Sequence, residues 1–290
     1  MDENATGHCA RQEVAGIIAN RQLTASIFRI EIDCPGIASD IRPGQFLMIR
    51  PQAGYDPLLG RPLAVYDVHA DADSRPRSVS MVYQVFGRGT ARLSQMKSGE
   101  EVRVWGPLGH SFDAEPAADR IWFVAGGIGY TPFLALGKWW LGQSAYGGKS
   151  LAAPISRTID FLYGARSALL LPPLDEFHQA GMNVSLCTDD GGTGHHGRVT
   201  DLMSHFSANL ADSQPELIVA CGPEPMLAAV SRWAGERQMK CLVSLENQMA
   251  CGFGACFSCV APIRQPDGSV DLRRVCLEGP IFDAGQVAWH

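Results

Sequence analysis

Several things are missing from this chain, and each absence removes a class of function. No apolar stretch runs far enough to span a bilayer: the most apolar uncharged run, Ile121 to Gly137, is broken by Gly126, Gly127, Gly129 and Pro132. The first ten residues, Met1 to Ala10, are polar with two early acids and contain no apolar core of a secretory signal. Positive charge is not in excess, since 24 Lys and Arg stand against 30 Asp and Glu for a net charge of −6. That removes the general basic field required for nucleic acid or an anionic membrane and leaves at most local patches. Internal repeats and low-complexity segments are also absent, as is any Ser-His-Asp arrangement or paired carboxylate fit for acid–base work. The expectation is a cytoplasmic protein of 290 residues, enough for two domains of ordinary size.

What the chain does have is cysteine, nine in all, five of them scattered singly (Cys9, Cys34, Cys187, Cys221, Cys241). Such scatter argues for a reducing compartment rather than disulfides. The other four are Cys251, Cys256, Cys259 and Cys276, a C-x4-C-x2-C run with a later fourth member. This is the plant-type spacing for a [2Fe–2S] cluster. Gly252, Gly254 and Ala255 lack bulk, so the loop can turn its N–H groups toward cluster sulfurs. Gln265 to Ser269, with Pro-Asp-Gly at its centre, reads as a hairpin turn that folds Cys276 back onto the other three. A four-cysteine zinc site is the competing reading, although zinc ribbons pair two short knuckles rather than crowding three cysteines into one loop.

Before this segment the chain changes rhythm once. Six short runs closed by Gly and Pro predict an antiparallel barrel: Val14–Ala19, Ile27–Ile32, Gln45–Ile49, Leu63–Val68, Ser78–Val85 and Glu101–Trp105. Arg61-Pro62 places a guanidinium at the start of one strand. Gly87-Arg-Gly-Thr90 opens a predicted short helix, Ala91–Met96, whose free N–H groups favour an anion. A boundary is expected at Ala114–Asp119. Beyond it, the apolar strand Ile121–Ala125 runs into Gly126-Gly-Ile-Gly-Tyr-Thr-Pro132 and a helix from Phe133 to about Leu141, a nucleotide-binding arrangement without the G-x-G-x-x-G fingerprint. Strands are predicted at Thr158–Tyr163, Val184–Thr188 and Leu217–Ala220, with helices between them. The last ends in Cys221-Gly-Pro-Glu-Pro-Met226 and turns into a helix. Ser144 to Pro154 reads as a surface loop. Asp189 to Gly197 reads as a polar, flexible loop in which the Asp189-Asp190 pair forms turns and His195 and His196 are exposed rather than metal-bound. A helix follows at Val199–Phe206.

Taken together, Arg61-Pro62, Gly87–Thr90, Gly106-Pro-Leu-Gly109, Gly126–Pro132, Cys221–Met226 and the terminal cysteines stand in the order found in ferredoxin-NADP reductase-like flavoproteins. Within these, Ser244-Leu-Glu-Asn-Gln-Met-Ala-Cys251 and Val275-Cys276-Leu-Glu-Gly-Pro-Ile-Phe282 resemble the electron transfer subunits of NAD-dependent dihydroorotate dehydrogenases. The resemblance implies a β-barrel FAD domain (11–114), an α/β NAD-binding domain (119–243) and a C-terminal loop-rich [2Fe–2S] segment (244–290). It implies FAD held by Arg61, Pro62, Leu63 and Ala64, by Val82, Tyr83 and Gln84, and by Gly89 and Thr90 at the pyrophosphate. Nicotinamide nucleotide would lie on Gly127, Gly129 and Thr131 and beside Gly222, Glu224 and Met226, with Cys221 near the reacting ring. Cys251, Cys256, Cys259 and Cys276 would hold the cluster. Ala64 departs from the pattern, because relatives commonly carry Ser or Thr there. The implied partner is an FMN-containing catalytic subunit in an assembly of two plus two, acting in pyrimidine biosynthesis. Reductase subunits of sulfide dehydrogenase, ferredoxin:NADP oxidoreductase or hydrogenase complexes, and a zinc-binding interaction module, are the alternatives. The resemblance implies NADH over NADPH; Arg166, the basic residue after the second strand, does not by itself decide between them.

Overall fold

The computed structural model describes residues 10–52, 54, 56–112, 117–151, 153–210 and 214–289. Six strands close a barrel: β1 (Arg11–Gln22), β2 (Ile27–Asp33), β3 (Phe46–Pro51), β4 (Arg61–Ala70), β5 (Pro76–Gln84) and β6 (Glu101–Leu108). Their order is β1-β2-β5-β4-β3-β6, every pairing antiparallel. Closure removes the exposed edges that such strands would otherwise present. Alternate side chains fill the interior, among them Ile30, Ile32, Leu47, Val79, Met81, Val102 and Val104, all fully buried. A one-turn helix, α1 (Pro35–Ala38), and α2 (Arg88–Gln95) sit on the connections. All six predicted strands form. Part of the expected boundary, residues 114–116, lies outside the described residues.

The second body is a seven-stranded sheet with helices on both faces. Its strands are β7 (Ala118–Gly126), β8 (Ser156–Ala165), β9 (Asn183–Thr188), β10 (His195–His196), β11 (Leu217–Cys221), β12 (Lys240–Ser244) and, after a separate hairpin of β13 (Val260–Arg264) and β14 (Val270–Arg274), β15 (Ile281–Asp283). The order is β10-β9-β8-β7-β11-β12-β15, parallel except at β15. The helices are α3 (Phe133–Trp140), α4 (Asp175–Gln179), α5 (Val199–Asn209), α6 (Glu224–Glu236) and α7 (Val275–Glu278). Strands covered on both faces must be apolar throughout, and Ile121–Ala125 and Leu217–Cys221 are buried without a break. One face carries a stack of aromatic rings, with Phe161 and Phe177 4.7 Å apart and Phe123 and Phe133 likewise 4.7 Å apart. The other packs Trp122 against Trp233 and Phe206. Among the described residues no helix is long and apolar enough to cross a membrane.

Two polar joints fasten barrel to sheet. Asp67 on β4 accepts from Lys138 Nζ of α3 at 2.5 Å and from the Tyr146 hydroxyl at 2.8 Å. Arg29 on β2 reaches both oxygens of Glu176 on α4 at 2.9 and 2.8 Å, and the Tyr66 hydroxyl donates to the same carboxylate at 3.0 Å. Tyr146 corrects the reading of Ser144–Pro154 as a plain surface loop, because its ring is buried and anchors that segment to the barrel. The Asp189–Gly197 loop is likewise more ordered than expected: His195 and His196 form β10 beside β9, and the His195 ring stacks on His205 at 5.2 Å. Strands β12 and β15 have no counterpart in the sequence reading.

Asp67 is the acceptor on which the first joint turns. Replacing it with Ala removes the acceptor that the Tyr146 hydroxyl and the Lys138 ammonium share. The expected loss is about 3 kcal/mol of stability, measured as a lower urea midpoint; an unchanged midpoint would show that the joint contributes nothing.

Candidate functional site

Strand order places the first half of the site. On the two sides of β7 the sheet winds in opposite directions, so a crevice opens at the carboxyl ends of β7 and β11, where ligands of open α/β sheets bind. Two turns meet there back to back. The Gly126–Gly129 turn leaves β7 and the Cys221–Gly222 turn leaves β11, and a Cβ on Gly129 would fall 2.3 Å from the Cys221 carbonyl oxygen. A Cβ on Gly126 would meet the Met226 sulfur at the same distance, which places Met226 under the turn as packing. Gly127 has φ +55 with open space beyond it, so its backbone is free for a ligand to approach. Thr131 is buried at the start of α3, and Glu224 is exposed in the first turn of α6.

Cys221 is buried at the end of β11, and its thiol donates to Glu246 Oε1 at 3.9 Å. Burial raises the Cys221 pKa well above that of a free thiol, so the sulfur stays protonated. Glu246 is exposed at its surface, yet desolvation by the protein packed around its carboxyl pushes that pKa upward, opposed by the thiol hydrogen bond. The pair therefore offers a protonated donor beside a carboxyl whose own affinity for a proton is enhanced. Reading single residues missed Glu246. The signal was present, because β11 and β12 pair Cys221 with Ser244, two residues before it.

The flavin-type motif lies on the barrel rim. Arg61 donates to the carbonyls of Leu59 and Gly60 at 3.1 and 3.0 Å, and a Cβ on Gly89 would sit 2.8 Å from Arg61 Nε. The guanidinium and the amino end of α2 thus form one cradle with the chemistry of a phosphate seat. Within it the Thr90 hydroxyl is already engaged, accepting from the N–H groups of Phe86 and Gly87 at 3.0 and 3.2 Å. Pro62 and Ala64 are half-buried on the rim, while Leu63 points into the barrel core. Tyr83 also points inward, where its hydroxyl donates to Asn20 Oδ1 at 3.1 Å, so it offers a ligand only backbone. Val82 packs toward the sheet and Gln84 is exposed.

The four clustered cysteines come together. After β12 the chain runs without regular structure to Cys259, turning at Gly252 (φ +82) and Gly254 (φ +85). Asn247 Nδ2 donates to the Val260 carbonyl at 2.9 Å, and Arg274 Nη1 to the Gly254 carbonyl at 3.2 Å. The β13–β14 hairpin, turning at Gln265–Ser269 as predicted, returns the chain so that Val275 N donates to the Cys259 carbonyl at 2.8 Å and α7 delivers Cys276. The Cys256 thiol lies in hydrogen-bond reach of Cys251, and the Cys276 thiol lies beside Cys259 with Cys251 also near enough to act on it. The exposed Cys256 thiol is held down to about 6, first by the Ser258 hydroxyl and then by backbone N–H groups and Cys251. The Cys276 thiol is pushed up to about 12 by burial, with Cys259 beside it. Among the described residues no three His, Cys, Asp or Glu side chains gather as a single-ion site. Four neighbouring thiols that receive backbone N–H groups have the donor chemistry an iron–sulfur cluster takes.

Gly129 is the least replaceable residue of the crevice. An Ala there overlaps backbone rather than a movable side chain and is expected to cost about 1–3 kcal/mol. The check is a thermal melt together with NADH-driven flavin bleaching, both of which should weaken; wild-type behaviour would mean that the two turns do not touch.

Comparison with known proteins agrees with this layout. Residues 246–288 match the model of the iron–sulfur cluster binding domain of dihydroorotate dehydrogenase B. The chain is 33% identical over 277 residues to the dihydroorotate dehydrogenase B (NAD(+)) electron transfer subunit of Desulforamulus reducens, covering 95% of this chain and 98% of that one. It is 33% identical to the subunit of the same name from Geobacillus thermodenitrificans, with 93% and 96% covered. Among solved structures it is similar to an NADH-dependent reduced ferredoxin-NADP oxidoreductase, a flavin-based electron bifurcating enzyme, at TM-score 0.76 and 26% identity over 96% of this chain and 90% of that one. Over nearly its whole length, then, the chain belongs to the family of dihydroorotate dehydrogenase B (NAD+) electron transfer subunits.

Proposed function

We propose that the chain passes electrons from the FMN of a separate dihydroorotate dehydrogenase catalytic subunit to NAD+, by way of a [2Fe–2S] cluster and FAD, in pyrimidine biosynthesis. The observation that carries this reading is the coincidence of the matched segment 246–288 with the loop and hairpin that bring Cys251, Cys256, Cys259 and Cys276 close together. FAD, when bound, supplies the exchange between one-electron transfer at a cluster and two-electron hydride transfer at nicotinamide.

The chain's own residues bind and orient. Cys251 and Cys256 would hold one iron, Cys259 and Cys276 the other. Arg61 and the N–H groups of Gly89 and Thr90 would take the FAD pyrophosphate, with Pro62, Ala64 and the Val82–Gln84 backbone along the flavin. Because Ala64 has no hydroxyl, any hydrogen bond to the flavin at this position comes from backbone. The Gly127–Gly129 turn and Gly222 would seat the nicotinamide nucleotide, with Thr131, Glu224 and Met226 shaping that seat. Cys221, with Glu246 beside it, would lie near the nicotinamide ring. Hydride transfer needs ring proximity and orientation rather than a general base, which fits a crevice whose buried thiol is protonated.

The cluster segment also looks outward. Cys256 is exposed, and Phe253, Phe257 and Leu277 stand 56%, 59% and 44% exposed around the same loop. Exposed apolar side chains beside a redox seat suit docking by a second protein. For this task the chain divides into a flavin barrel (11–114), a nucleotide domain (119–243) and a cluster segment (244–290), and it works in the cytoplasm as two copies with two catalytic subunits.

The isolated chain is expected to reduce artificial acceptors with NADH and to leave dihydroorotate untouched until the FMN subunit is added; dihydroorotate turnover by the chain alone would refute the division of labour. Cys256→Ser should lose iron and inter-subunit transfer while keeping FAD, and a normal iron content would remove Cys256 from the ligand set.

A further inference from the structure

Strand β6 alternates faithfully until its end. Val102 and Val104 point into the barrel and are fully buried, while Arg103 and Trp105 point outward. Beyond Trp105 the pairing with β3 slips, since Met48 faces Trp105 but Phe46 faces Leu108, so β6 holds one extra residue there. A bulge of this kind re-aims the neighbouring side chain. The indole leaves the barrel wall and meets two elements that function requires.

On one side Trp105 Nε1 donates to the Cys251 carbonyl at 2.9 Å. On the other the six-membered ring lies on Gly60, where a Cβ would come 2.5 Å from Cη2 and 3.1 Å from Cζ2. Gly60 is the residue before Arg61, whose guanidinium holds the Gly60 carbonyl and borders Gly89. The rest of the loop's seat nearby is apolar, with Gly252 resting on Met48 and Leu108. Trp105 is thus a rigid, directional link between the backbone of a cluster cysteine and the strand that begins the flavin motif.

We propose that Trp105 is a positioning residue, which sets the Cys251 side of the cluster seat at a fixed separation from the flavin rim of the barrel. The inference rests on the proposed function, because it needs the cysteine loop to hold a cluster and the rim to hold FAD. A hydrogen bond to the backbone of a ligand acts on the orientation of its sulfur, and outer contacts of this kind tune cluster properties. Electron exchange between two centres depends on how closely they are held, so a small displacement of the loop is enough to slow it.

The test uses the full chain with its cofactors and the variant Trp105→Phe, which keeps an aromatic side chain at the end of β6 but has no N–H. Iron and flavin contents are expected to stay at wild-type levels. The electron paramagnetic resonance spectrum of the reduced cluster should shift, and cluster–flavin exchange in stopped flow should slow about tenfold, while NADH-to-flavin transfer is unchanged. Gly60→Ala pushes the ring from the other side and should shift the same cluster spectrum. An unaltered spectrum and exchange rate in an iron-bearing Trp105→Phe protein would overturn the proposal, as would loss of flavin and iron together in both variants, the result of a tryptophan that only supports the fold. Absence of iron from the wild-type protein would instead refute the functional reading beneath it.

Discussion

Four thiols must arrive at one place, three from a single loop and one from seventeen residues further on, and the C-terminal segment is arranged around that demand. Glycines at positive φ let the loop turn tightly enough to face its N–H groups toward sulfur. A hairpin carries the chain out and back, and the bond from Val275 to the Cys259 carbonyl sets the return. Strand β15 then stitches the segment to the nucleotide sheet by pairing with β12, while Met48, Leu108 and Trp105 seat the loop on the barrel. The segment is therefore braced by both larger bodies.

The same economy governs the crevice. Backbone meets backbone at Gly129 and Cys221, and a side chain at Gly129 would force the two turns apart. That contact exposes the Gly127 backbone and directs the Cys221 thiol toward Glu246. Charge here is arranged by burial: the thiol is kept protonated and the carboxyl's pKa is raised. With a phosphate-type cradle on the barrel rim and the cysteine loop, the crevice completes a set of three seats on one chain.

Much of this was legible in the sequence. The six barrel strands announced themselves by short runs closed with Gly and Pro, and the parallel strands by unbroken apolar stretches, because each pattern follows from how many faces are buried. The cysteine spacing carried the cluster reading by itself. What escaped depended on tertiary contacts. Strand β15 is three residues long and exists through its pairing with β12. Glu246 gains its role from strand register, Tyr146 from an aspartate seventy-nine positions away, and Trp105 from a loop 146 positions further on. Tyr83 and Leu63 illustrate the opposite limit, since a motif fixes the strand but not which of its side chains turn inward.

The central claim is that the four cysteines hold an iron–sulfur cluster in a chain that also binds flavin. The most direct test is iron, zinc and flavin analysis of anaerobically purified protein together with its visible spectrum. The account predicts about two irons per chain, flavin bands overlaid on broad cluster absorption, and no zinc. Zinc in place of iron, in a colourless protein without flavin, would contradict it.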